Sequence, residues 1–114
     1  MPTLKIDWDG EEDQDFENKL KSILRIYHLT EAKVEKYKTK HGYHLYIEFN
    51  KKIPEIEMVL LQCLLGSDNF RELYNLERVK NKNRGWNVLF KVKKKEGKVV
   101  SKEKFIEEKI IDLV

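Results

Sequence analysis

The sequence predicts one α+β domain over residues 1–114, an antiparallel sheet backed by helices. Three observations predict it. Thr3 to Asp9 and Tyr43 to Asn50 alternate apolar and polar residues, the period of half-buried strands. Residues 12–28 and 54–65 carry apolar residues at steps of three and four, the period of amphipathic helices. Gly10, Pro54 and Gly66 stand where those segments begin or stop.

In the first strand Leu4, Ile6 and Trp8 point one way and Lys5, Asp7 and Asp9 the other. Asp13 or Asp15 is placed to cap a helix whose stripe is Phe16, Leu20, Ile23, Leu24 and Tyr27. Ala32 to Lys40 reads as a strand centred on Val34. His41-Gly42 reads as a tight turn, since glycine accepts positive φ. In the next strand Tyr43, Leu45, Ile47 and Phe49 form one face, and His44, Tyr46 and Glu48 the other.

Pro54 starts a second helix, where its missing N–H costs nothing. Its expected buried stripe is Ile56, Val59, Leu60, Cys63 and Leu64, which puts the only cysteine inside as an inert thiol. Ser67 or Asp68 is placed to cap a third helix through Phe70, Leu73, Leu76 and Val79. After the polar loop Asn81 to Gly85, alternating Trp86, Val88, Phe90 and Val92 suggest a fourth strand. Glu96-Gly97 suggests a hairpin turn, with Lys98 to Ser101 returning. Phe105, Ile106, Ile110 and Leu113 suit a short terminal helix. The order is βαββααβ plus a hairpin strand and a helix, which is a ferredoxin-like or RRM-like arrangement with helices on one sheet face.

Composition narrows the setting. A lone cysteine excludes an intramolecular disulfide and a zinc site built from cysteine pairs. No apolar run approaches the ~18 residues of a membrane span. The N-terminus turns acidic at once and carries no leader pattern, so a soluble cytoplasmic protein without a membrane partner is expected. Charged residues make up 38% of the chain, well above the typical ~25%, a bias suited to a thermophilic protein. The net charge of +3 hides segregation. Seven acidic and no basic residues lie between Asp7 and Glu17, whereas twelve Lys/Arg face four Asp/Glu between Arg71 and Lys104.

Strand parity assembles a site. If Leu4, Ile6 and Trp8 face the helices, Asp7 and Asp9 face away, about 6.6 Å apart along the strand. The first and third strands are neighbours in this topology, so His44 joins the two aspartates. Paired carboxylates repel, and Mg²⁺ or Mn²⁺ relieves that repulsion with help from water and substrate phosphates. Asp7 and Asp9 are the candidate metal ligands, and Asp7, Asp9 and His44 the candidate catalytic set.

These residues resemble a known family. Leu4-Lys5-Ile6-Asp7-Trp8-Asp9-Gly10 resembles the hydrophobic-x-hydrophobic-Asp-hydrophobic-Asp motif of the archaeo-eukaryotic primase superfamily. Thr39-Lys40-His41-Gly42-Tyr43-His44-Leu45-Tyr46-Ile47 is similar to the second motif of its plasmid and viral primase-polymerases, with His41 where a serine is usual. Gly66 to Leu73 and Asn87 to Phe90 are similar in rhythm to the family's downstream region. The resemblance implies an RNA-recognition-like core, metal ligation by Asp7 and Asp9, and contact between His44 and an incoming nucleotide. The family's third acidic ligand lies on a late strand. Here that segment, Gly85 to Lys91, has no carboxylate, and Glu48 and Asp68 are the substitutes considered. A small lysine-rich relative of this kind suits an archaeal virus or plasmid, working in the host cytoplasm.

The basic half adds a second theme. Lys91, Lys93, Lys94, Lys95 and Lys98 surround the Glu96-Gly97 turn and can neutralise nucleic-acid phosphates. Lysines on an edge strand equally serve to prevent edge-to-edge pairing. Tyr46 offers a stacking surface on the sheet. Three functions stay open at this point: a primase-like nucleotidyltransferase, a noncatalytic single-stranded DNA- or RNA-binding module, and a homo-oligomeric interaction protein. The expected partners are a nucleotide, a single-stranded nucleic acid, and a second copy of the chain or a larger replication assembly.

Overall fold

The alternation of Leu4, Ile6 and Trp8 with polar residues builds β1, Thr3–Asp9, and the computed structural model places those three side chains in the core. The structure describes residues 3–89, 92–95 and 98–113, with backbone alone for 92–95 and 98–101. The remaining elements are α1 (Phe16–Ile26), β2 (Glu31–Lys38), β3 (Gly42–Glu48), α2 (Glu55–Leu64), α3 (Asn69–Lys80), β4 (Val92–Lys95), β5 (Lys98–Lys102) and β6 (Lys104–Asp112). The fold is α+β: three helices and a four-stranded antiparallel sheet in the order β1-β3-β2-β6, with β4 and β5 forming a separate two-stranded ribbon. Among the described residues no helix is long and apolar enough to cross a membrane.

The core lies between the sheet and the helices. Phe16, Leu20, Ile23 and Leu24 of α1, and Met58 and Val59 of α2, pack on Leu4, Ile6, Val34, Leu45 and Ile47. The turn between β2 and β3 needs Gly42 for a steric reason rather than for positive φ. A Cβ there would collide with the carbonyl oxygen of Trp8 on the neighbouring strand.

Two expectations are corrected. The C-terminal segment is a strand, not a helix: β6 pairs antiparallel with β2 from Glu31↔Asp112 to Lys38↔Lys104. β2 would otherwise present an unpaired edge, and the β-branched Ile106, Ile110 and Ile111 suit that edge. Trp86 to Leu89 are not in a strand, and β1 lies at an edge of the sheet with no strand beyond it among the described residues. Phe90, Lys91 and the expected Glu96-Gly97 turn lie outside the described residues.

Side chains close the free edge of β1 where a fourth strand was expected. Gln62 Oε1 accepts from the Lys5 N–H (3.0 Å) and Ser67 Oγ from the Asp7 N–H (3.0 Å). Arg71 donates to the Lys5 carbonyl (2.9 Å), Asn87 to that of Thr3 (3.2 Å), and the Asp68 N–H to that of Asp7 (2.7 Å). Behind this row lies Glu72, 1% exposed, which accepts from Gln62 Nε2 (2.6 Å), Ser67 Oγ (2.7 Å), Asn75 Nδ2 (3.0 Å) and Arg71. Every buried side-chain polar atom among the described residues has a partner.

This network explains two further corrections. Gln62 must face inward to reach β1, so α2 buries Met58, Val59 and Gln62 and leaves Ile56, Leu60 and Leu64 exposed. Cys63 is exposed as well, contrary to expectation. Likewise α3 buries Glu72 and Asn75, and turns Phe70 and Leu73 to solvent.

Candidate functional site

Asp7 and His44 are direct cross-strand partners. Because both the N–H and the C=O of Asp7 bond outward, to Ser67 and Asp68, this is a non-hydrogen-bonded pair of the ladder. Such pairs hold their side chains closest, with Cα atoms about 4.5 Å apart. His44 Nε2 lies 3.6 Å from Asp7 Oδ1. On the other side of the ring, His44 Nδ1 lies 2.8 Å from Glu103 Oε2, which also accepts from the Tyr46 hydroxyl at 2.9 Å. Glu103 sits between β5 and β6 and covers the imidazole, so His44 is 6% exposed. A row Asp7–His44–Glu103–Tyr46 results.

The electrostatics follow from burial. Loss of water pushes the Asp7 carboxyl above its ordinary value. The His44 ring and the Arg71 guanidinium oppose this, and the Asp68 and Asp9 charges add to it. Burial and the bond to Glu103 push the Tyr46 phenol strongly upward. The Tyr46 ring meets Tyr37 edge-on, centroids 5.3 Å apart, and Tyr37 in turn meets Phe105 at 5.5 Å.

The Asp7–His44 pair lines the floor of a cleft of about 670 Å³. One wall is α3, through Phe70, Arg71, Tyr74 and Arg78; the other is the β2–β3 turn, Thr39 to Gly42. Asp9 opens into the cleft beside Asp7, and Asp68, Lys102 and Glu103 also border it. Arg71 is committed to the β1 edge and to Asn87, but Lys40, His41 and Lys102 make no ion pair among the described residues.

The structure thus brings Asp7, Asp9 and His44 to one patch, with Tyr46 one row away on the same face. Lys93, Lys94, Lys95 and Lys98 belong to the separate β4–β5 ribbon, described as backbone, and Lys91 lies outside the described residues. Sequence reasoning missed Glu103, which lies 59 residues from His44 in the chain. It also missed Phe70 and Tyr74 as cleft residues, Phe70 having been read only in the apolar series of the third helix.

Asp7 and Asp9 fit a divalent cation as hard oxygen donors, and the upward push on Asp7 is the condition a cation would relieve. His44 fits less well as a ligand, with one ring nitrogen on Glu103 and the other facing Asp7. Among the described residues no three His, Cys, Asp or Glu side chains group around one metal position, so phosphate and water would have to complete the shell. The chain matches no protein-family model, no curated protein and no solved structure.

Proposed function

We propose that the cleft is a nucleotide site of the kind a minimal primase-polymerase core would carry, taking a nucleoside triphosphate together with Mg²⁺ or Mn²⁺. The single observation that carries this reading is the Asp7–His44 pair on the floor of a cleft bordered by Lys40 and Lys102, which make no ion pair among the described residues. Asp7 and Asp9 would hold the cation, which when bound neutralises phosphate charge and orients the phosphates. Lys40 and Lys102 supply further positive charge at the rim, and His41 a donor.

Within the chain, Glu103 orients the His44 ring and Arg71 partly offsets the Asp7 charge. The reading commits to metal-dependent nucleotide binding. Nucleotidyl transfer would need a third acidic ligand, for which Asp68, close enough to raise the Asp7 carboxyl, is better placed than Glu48 on the far row of the sheet.

Calorimetric titration of ATP in the presence of Mn²⁺ tests the proposal. Heat of binding is expected for the wild type and its loss for Asp7→Asn. Equal binding by both proteins, or none by either, would overturn it.

A further inference from the structure

Phe70 is 75% exposed and Tyr74 58%, although both are aromatic residues on a helix that buries two polar ones. They stand one turn apart on α3, and Arg78 follows one turn later; all three line the same wall of the cleft. The two rings enter neither the core cluster nor any ring stack among the described residues. Arg78 makes one long bond, 3.3 Å to Asn75 Oδ1, which leaves most of its donors for a ligand.

We propose that this stripe is a track for single-stranded nucleic acid, with bases stacked on Phe70 and Tyr74 and phosphates met by Arg78, Lys40 and Lys102. Charge decides the occupant. Of the carboxylates below, Asp7 faces His44, Glu103 holds His44 and Tyr46, and Asp68 accepts from the Phe70 N–H at 2.9 Å, while Asp9 makes no ion pair among the described residues. Above them Arg78, Lys40 and Lys102 have no ion-pair partner among the described residues, so three cations stand free at the cleft beside two open π faces. A purely apolar partner would leave those cations unused. A single strand uses both, because stacking accepts every base and the phosphates meet the cations. Duplex bases are stacked on one another and offer no face to the rings. The proposal goes beyond nucleotide binding and rests on that reading only in sharing the cleft.

Fluorescence anisotropy of a labelled oligothymidylate at low salt, in EDTA, tests the track without the metal site. Saturable binding is expected, weakening roughly 5- to 150-fold for each of Phe70→Ala and Tyr74→Ala. Tyr74→Phe should bind as the wild type does. Arg78→Gln should weaken binding and lower the salt slope by about one. Phe70, Tyr74 and Arg78 are all exposed, so thermal melting of their variants should be unchanged. No binding by the wild type, full binding by a Phe70→Ala/Tyr74→Ala double variant, or duplex bound as tightly as single strand would each overturn the track. Because the assay excludes divalent metal, it can fail while ATP–Mn²⁺ binding survives, and the reverse.

Discussion

Glu103 Oε2 receives two donors, His44 Nδ1–H and Tyr46 O–H, in a site where its own side chain is 8% exposed. The carboxylate thereby selects which His44 nitrogen faces Asp7. Glu103→Gln keeps the shape and removes the charge. Tyr46 should then ionise at lower pH, though still above the ordinary value near 10, because burial, the larger cause of its shift, remains. The linkage has a definite sign. A phenol whose folded pKa is raised stabilises the fold below its unfolded pKa, and that contribution is lost as pH rises through the folded value. Wild-type stability should therefore fall from about pH 10 upward, and the variant should fall less steeply. Phenolate absorbance during an alkaline titration checks the first expectation and urea melts at several pH values the second. Asp7 facing His44 was legible from strand parity together with the expected pairing of the first and third strands, since each strand shows a clean apolar set. Glu103 was not, because nothing local says which turn comes to rest over a histidine far away in the chain.

Helix α2 shows how a buried polar contact overrides a helical stripe. Ile56, Leu60 and Leu64 recur at four-residue steps and read as an inward face, yet the sheet takes Gln62 instead. The reason is the unpaired edge of β1. Its N–H groups need acceptors, and Gln62 meets the Lys5 N–H while donating to Glu72 and accepting from Asn87. The alternation in β1 revealed its two faces but not its place at the edge of the sheet, so the demand for a polar residue on α2 was invisible. Two substitutions separate the readings. Gln62→Leu removes the acceptor of the Lys5 N–H and one bond each from Glu72 and Asn87, which keep their other partners, and should cost about 1–3 kcal/mol. Leu60→Ser, at a position 61% exposed, should change stability by no more than about 0.5 kcal/mol. A buried stripe of the expected kind would reverse the order. Urea unfolding of both variants decides it.

The whole molecule is closed by its C-terminal strand, which returns to pair with β2 across most of the chain's length, from Glu31↔Asp112. This pairing sets which apolar residues matter. A terminal helix would bury Phe105, Ile106, Ile110 and Leu113, whereas β6 buries Ile111, 5% exposed, and leaves those four at 36% or more. Apolar spacing in so short a segment does not separate the two periods, and the deciding fact, an empty edge on β2, is a property of the assembled sheet. Lys109 faces the helix side of β6 and bonds Glu17 of α1 at 2.7 Å, which ties the strand to the opposite layer and lowers the Glu17 carboxyl. A depressed carboxyl contributes stability above its unfolded pKa of about 4.5 and loses it as pH falls through the folded value. Both partners are substantially exposed, so Glu17→Gln should cost about 0.2–1 kcal/mol at neutral pH and nothing in acid. Ile111→Ala should cost far more, about 2–5 kcal/mol, because it opens a cavity between β2 and the helices. Ile110→Ala, on the other face, should cost well under half as much. Chemical denaturation of the two isoleucine variants measures which neighbour lies inside. A larger loss at Ile110 than at Ile111 would remove β6 from the sheet, and with it the placement of Glu103 over His44.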